Sequence, residues 1–247
     1  MKKINVLSIG NSFSQDAQKY LHDLARSEGV VLETINLYIA GCSLERHYRN
    51  MMGNKRYALE VNGHSGTGFL ASIEEALLAR EWDVITLQQA SRYSYEGQTY
   101  FPYINELANY VRKFCPKAKL YIHQTWGYES GSELIQKHGF QTYDEMFGKI
   151  RLCYEEAAER IGADGIIPCG LAFLYAGKLG IKKVHRDMYH ANLGVGRFIL
   201  ALVWYGYITG NEIGTIGYSD FAEPVSEEEY KIALEAAAKA LNYSGKT

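Results

Sequence analysis

What most constrains this chain is an alternation between two hydrophobic periods. Short runs rich in apolar and β-branched residues, INVLSI (4–9), LETINLYI (32–39), DVITLQ (83–88), KLYIHQ (119–124) and DGIIP (164–168), are separated by segments whose apolar residues recur every three or four positions. Those segments lie near 14–28, 70–80, 101–114 and 144–161. The first kind has the length and composition of strands, the second that of amphipathic helices. Strand and helix in alternation imply a parallel sheet with helices on its faces. The expected fold class is α/β: a three-layer α/β/α sandwich around a flavodoxin-like, five-stranded parallel sheet. In such sheets the ligand crevice lies at the carboxyl ends of the strands, so the loops that follow strands are where chemistry is expected.

The rest of the chain fits one unit. Two helices are expected at the end, one over about 191–208 and one beginning at SEEE, where Ser226 caps and Glu229 completes a capping box. The alanine-rich face of the second is expected to pack on the sheet. RYALEVNGHSGTG (56–68) reads as an excursion with a Gly-rich turn, in the manner of a hairpin. No repeat, linker or low-complexity stretch divides the chain, so residues 1–247 are read as a single domain, long enough to bury a large core.

Charge and hydropathy narrow the partners. A net charge of -2 without a basic run argues against nucleic acid. No apolar stretch approaches the roughly 18–20 residues of a membrane helix, and the nearest, RFILALVWYGYITG, is read as a buried core helix. The start, MKKINVLSI, is too short for a secretory signal, so the expected location is cytoplasmic and no membrane partner is expected. Cys42, Cys115, Cys153 and Cys169 are scattered without a C-x-x-C pair and read as reduced, small apolar side chains.

Four strand-end loops carry residues unusual for plain connectors. They are Gly10-Asn11-Ser12, Ala40-Gly41-Cys42-Ser43, Gln88-Gln89-Ala90-Ser91 and HRDMYHANLG, the last with Asp187 and His190. An aspartate three residues before a histidine on a loop can take the imidazole N–H while the other ring nitrogen faces a serine. Gly-Asn-Ser alone is ordinary turn chemistry, and D-x-x-H alone arises by chance. Their order along an α/β pattern is what favours Ser12, Asp187 and His190 as a nucleophilic site. His185, Asp187 and His190 also form an H-x-D-x-x-H cluster suited to a divalent metal, a reading that leaves Ser12 without a role. No metal or cofactor is expected, and His185 is read as exposed or supporting. The other histidines, His22, His47, His64, His123 and His138, carry no spacing signal and are expected at the surface or partly buried. Aromatics after the strands, Tyr93, Tyr95, Trp126 and Tyr128, ordinarily pack. The functional alternative makes Trp126 and Tyr93 substrate-binding, as a platform over the serine. IGNSFS has neither G-x-G-x-x-G nor a P-loop lysine, which weighs against a nucleotide-binding domain without catalysis.

On IGNSFS, WDVITLQQAS, HQTWGY, ALVWYGYITG and DMYHANLGVG, the chain resembles the SGNH, or GDSL, hydrolase superfamily, and within it a largely uncharacterised bacterial branch. The resemblance implies Ser12 as nucleophile, Asp187 and His190 as its partners, and the backbone N–H groups of Ser12 and Gly41 as oxyanion donors. It also implies an asparagine after the third strand, which this chain lacks: aligned without gaps, Ala90 falls there. Gln88 or Gln89 is expected to supply the missing amide, Gln88 by preference, since some related acetylesterases carry a Q-G-E segment there. The implied activity is hydrolysis of a small-molecule ester, an acetylated carbohydrate in the narrower reading, with lipase, thioesterase or arylesterase activity as alternatives. Self-association is left open.

Overall fold

Lys3–Gly10 forms the central strand β1, and the register of its neighbours decides which loops meet. The computed structural model describes residues 3–243; Met1 and Lys2, from the segment read for a signal, lie outside the described residues. β1 pairs in parallel with β2 (Val31–Tyr38) from Lys3↔Val31 through Gly10↔Tyr38, so the two strands end level. On its other side it pairs in parallel with β5 (Val84–Leu87), with Ile9 opposite Leu87. β6 (Lys119–His123) and β7 (Gly165–Ile167) continue the parallel set. All five expected runs are therefore strands, and the loops after β1, β2 and β5 emerge side by side where the strand order reverses, the usual site of the ligand crevice.

The sheet has seven strands rather than five, in the order β4-β3-β2-β1-β5-β6-β7. The Gly-rich excursion supplies the extra pair, β3 (Tyr57–Val61) and β4 (Leu70–Ala71), which add antiparallel beside β2. β3 buries Tyr57 and Glu60 and leaves Ala58 exposed, the mixed pattern of a strand near a sheet edge.

Helices cover both faces. On one, α3 (Leu44–Met52), α4 (Ile73–Leu78), α5 (Tyr103–Phe114) and α7 (Tyr143–Ile161) contact one another in succession. On the other, α1 (Ser12–Gln18) and α2 (Leu21–Ser27) pack on α9 (Val195–Thr209). The stretch expected as one helix over 14–28 is thus two, broken at Lys19-Tyr20, where the turn at Gly63 closes on the carbonyls of Gln18 and Lys19. α3, the short α6 (Glu133–Lys137) and α8 (Cys169–Leu179) lack a sequence expectation; α8 has Lys178 as its one charged residue and packs on α7, α9 and α10, so it shows little amphipathic period.

α9 is buried from Val195 to Gly206 apart from Arg197, as expected of a core helix. Among the described residues no helix is long and apolar enough to cross a membrane. α10 (Glu227–Leu241) starts with the expected capping box of Ser226 and Glu229. Its alanine face corrects the expectation: Ala233, Ala236, Ala237 and Ala240 pack on α8 and α9 instead of the sheet, because those two helices already cover that face. The four cysteines are free, with Cys42 and Cys169 buried.

Three histidines lie inside, against the expectation of surface or partial burial for His47 and His123 and of an exposed or supporting place for His185. Burial pushes the imidazoles of His47 and His123 down to about 3 and that of His185 down to about 4. All three fold neutral. The unfolded chain takes up their protons first as pH falls below about 6.5, so the stability they support above that pH is lost on acidification toward their folded values. Glu60, raised by burial, works in the opposite direction, one carboxyl against three imidazoles. The urea midpoint is expected to fall between pH 7.5 and pH 5, before ordinary carboxylates titrate; a flat midpoint over that range would contradict the neutral buried histidines.

Candidate active site

The turn after β1 is held from several sides. Asn11 is the N-cap of α1: its Oδ1 accepts the Phe13 N–H at 2.9 Å, and the Asn11 N–H in turn donates to Ser14 Oγ at 3.0 Å. A Cβ on Gly10 would fall 2.0 Å from Ser14 Oγ and 2.9 Å from Asn36 Oδ1, so only glycine allows α1 to start this close to β2. Ser12 is consequently the first residue of α1, half-buried, with an N–H that has no acceptor inside the helix.

Asp187 and His190 stand at the two ends of a tight turn that has Met188 in the left-handed region, φ 70°. The carboxylate grips the histidine twice: Oδ1 accepts its backbone N–H at 2.9 Å, and Oδ2 accepts the Nδ1–H at 2.8 Å. That contact fixes the tautomer, because a carboxylate only accepts, and leaves Nε2 to face Ser12 Oγ at 2.8 Å. Burial alone would raise the Asp187 carboxyl, but the bonds from His190, with the His190 and Arg186 charges, hold it below its ordinary value. The imidazole lies against Tyr189, ring centroids 3.9 Å apart, and edge-to-face with Phe13, centroids 5.8 Å apart.

A buried ion cluster carries this turn to the serine. Asp16, one helical turn beyond Ser12 on α1, is fully buried. Its carboxylate accepts from Arg186 Nη1 at 3.0 Å, Arg197 Nε at 2.9 Å and the Ala191 N–H at 3.1 Å. Arg186 and Ala191 bracket Asp187 and His190, so α1 carries both the serine and the anchor of its partner loop. Glu129 donates its N–H to the Met188 carbonyl at 2.7 Å and adds a second attachment.

The pocket in front of Ser12 holds about 180 Å³ and is lined by Ser12, Tyr38, Gly41, Arg92, Tyr189 and His190, among others. Gly41 has φ 58°, the left-handed turn that glycine adopts without strain. Four sequence expectations are corrected here. Gln88 is buried and occupied, accepting from His123 Nδ1 at 2.7 Å and donating to Asn11 Oδ1 at 2.7 Å. Gln89 is also buried: its Nε2 donates to the Thr99 carbonyl at 3.0 Å and to Thr99 Oγ1 at 3.2 Å, while Oε1 accepts from Leu44 and Ala90. Neither amide lines the pocket. Trp126 is fully buried, stacked on Phe13 at 4.1 Å, and donates to the Tyr189 carbonyl at 2.7 Å, so it supports the histidine loop from beneath instead of meeting a ligand. Tyr93 lies outside the lining, with the Arg92 guanidinium over its ring at 4.7 Å.

The metal alternative is not assembled either. His185 is buried with Nε2 against the Gly127 carbonyl at 3.0 Å, and among the described residues no three His, Cys, Asp or Glu side chains converge as ligands. Sequence reasoning missed Asp16, Arg186, Arg197, Arg92, Tyr38 and Tyr189. Asp16 carried a signal: it falls on the buried stripe of Phe13, Ala17 and Tyr20, where a lone carboxylate requires a cation.

A family model described as a domain of unknown function, DUF4886, matches residues 5–240. A DUF4886 family protein from Bacteroides uniformis, solved as a crystal structure, is 34% identical, with TM-score 0.88, covering 100% of this chain and 97% of that one. A candidate SGNH hydrolase from Slackia heliotrinireducens shares the fold at 19% identity and TM-score 0.59, covering 83% of this chain and 98% of that one. A candidate GDSL-like lipase from Parabacteroides merdae does so at 16% identity and TM-score 0.58, covering 85% and 96%. A search of curated proteins finds no match.

Removing the carboxylate of Asp16 leaves the Arg197 guanidinium without an ion pair and Arg186 with only Asp187, 3.9 Å away. Asp16→Ala is expected to cost about 3–5 kcal/mol in urea unfolding, the upper end if Arg197, the more buried partner, stays inside. A loss under about 1 kcal/mol, the scale of a surface pair, would show that this cluster does not hold the loop.

Proposed function

The chain belongs to the DUF4886 family, and for this member we propose ester hydrolysis with Ser12 as nucleophile, His190 as base and Asp187 as its orienting carboxylate. The observation that carries the reading is the continuous line Asp187 Oδ2, His190 Nδ1, His190 Nε2, Ser12 Oγ, with both links at 2.8 Å. It has the spacing a general base needs to take a hydroxyl proton.

In the proposed reaction, Ser12 Oγ attacks the ester carbonyl while its proton passes to His190 Nε2. The carbonyl oxygen gains the negative charge, in reach of the free N–H groups of Ser12 and Gly41. The tetrahedral adduct collapses; the C–O bond to the alcohol breaks, and the alcohol leaves with the proton from His190. Water then repeats the sequence on the acyl-serine, giving back Ser12 and a carboxylic acid. Asp187, acceptor to both N–H groups of His190, keeps the ring in the reactive tautomer and favours its charged form at the transition state.

A pocket of about 180 Å³ favours a short acyl group. The resemblance to carbohydrate acetylesterases suggests an acetylated sugar as the substrate. Trp126 offers no support for that choice, but the half-buried rings of Tyr38 and Tyr189 give the pocket the aromatic surface a sugar requires.

Ser12→Ala is expected to abolish both p-nitrophenyl acetate turnover and labelling by a fluorophosphonate, with the melting temperature preserved. Asp187→Asn is expected to lower kcat by about 10³–10⁴-fold, as the wrong tautomer does in other triads. Acetyl esters of p-nitrophenol and of sugars should outpace octanoyl esters, and chelator should have no effect. Equal labelling of wild type and Ser12→Ala would overturn the assignment of the nucleophile.

A further inference from the structure

The site as described has two backbone donors and lacks the side-chain donor for which both glutamines were candidates. Ala90, at the place of the resembling family's asparagine, presents only a buried methyl. Asn11 lines the pocket but is buried: Oδ1 accepts from Phe13 and Gln88, and one Nδ2 hydrogen goes to the Cys42 carbonyl at 3.1 Å. Ser91 Oγ accepts from the Tyr128 hydroxyl at 3.2 Å and keeps its own O–H, a neutral donor.

Arg92 remains. It sits on the 3-10 turn Ser91–Tyr93, directly after the loop that leaves β5, and lines the pocket with Gly41 and Ser12. A Cβ built on Gly41 would lie 3.2 Å from Arg92 Nη1, so the guanidinium reaches across the exposed side of the glycine. Any larger residue at 41 would press on that group, which gives Gly41 a second reason to be glycine. Among the described residues Arg92 forms no ion pair, and its guanidinium is supported by the Tyr93 ring at 4.7 Å. It carries the one guanidinium of the pocket lining.

We propose that Arg92 is the third oxyanion donor, its guanidinium taking the part that an asparagine amide plays in the resembling family. The inference rests on the serine-hydrolase reading above. A guanidinium donates without being deprotonated, so no proton is transferred in this contact and the charge that develops on the carbonyl oxygen is met by a fixed positive charge. Tyr93 then acts by orienting Arg92, not by touching the substrate.

The test is steady-state hydrolysis of p-nitrophenyl acetate by wild type, Arg92→Ala and Arg92→Lys, with fluorophosphonate labelling of Ser12 in each. Loss of one oxyanion donor typically costs about 10²–10³-fold in kcat, so that fall is expected for Arg92→Ala with KM changed by less than about threefold, and a smaller fall for Arg92→Lys. Guanidinium chloride at low millimolar concentration should restore part of the rate of Arg92→Ala and none of that of Ser12→Ala, a rescue that a merely structural role would not permit. If Arg92→Ala keeps kcat within about threefold of wild type, or raises KM alone, Arg92 is not the donor and the hydrolase reading stands. If kcat falls without rescue and the melting temperature falls with it, the role is structural and the proposal fails. If wild type neither turns over nor labels, the hydrolase reading itself fails and this one with it.

Discussion

A short line of buried hydrogen bonds across the carboxyl end of the sheet is what the rest of the site depends on. His123 at the end of β6 donates to Gln88 at the end of β5, Gln88 donates to Asn11 at the end of β1, and Asn11 donates to the Cys42 carbonyl in the loop after β2. Three side chains and one backbone carbonyl thus set four loops in a single register. Asn11 also accepts the Phe13 N–H, so the same line begins the helix that carries Ser12. Inside a low-dielectric core each link is stronger than in water, and a missing link would leave a costly unpaired group. His123 enters it neutral, because burial pushes its imidazole down to about 3 and its Nε2 has no partner among the described residues.

The histidine loop is attached by charge instead. Asp16 draws Arg186, Arg197 and the Ala191 N–H onto α1, and Trp126 holds the Tyr189 carbonyl from below. The two systems meet at Phe13, which stacks on Trp126 and borders His190. Ser12 is therefore placed relative to the sheet by neutral hydrogen bonds, and His190 relative to Ser12 by a buried ion cluster on the same helix. The position of the imidazole needs little from the loop itself, whose Asp187 is nearly half exposed.

Much of this was legible in the residues. All five parallel strands, the core helix at 195–209 and the capped helix at 227–241 follow from hydrophobic period and capping chemistry, signals that act over a few residues. Ser12, Gly41, Asp187 and His190 stand together as their order along an α/β pattern suggested, because the carboxyl ends of parallel strands bring successive loops to one edge. The extra strands β3 and β4 were half legible, since a Gly-rich turn announces a hairpin without saying that the hairpin will join the sheet. α8 was hidden because a helix with a single charged residue, packed against three others, has little amphipathic period to detect.

Residue type and spacing by themselves determined the layers, the strand ends and which serine, histidine and aspartate lie on strand-end loops. Tertiary structure alone decided what each polar side chain points at. Gln88 and Gln89 have the right chemistry for an oxyanion donor, but their amides are spent on Asn11 and Thr99; Trp126 has the right chemistry for a sugar platform, but it is covered by Phe13. Arg92 is ordinary in sequence and becomes notable only because it reaches Gly41, far away along the chain. The physical reason is the same in each case. A carboxamide or indole donates to whatever acceptor lies within about 3 Å, and which one does is set by strand register and helix packing, neither of which is written in the residue that donates.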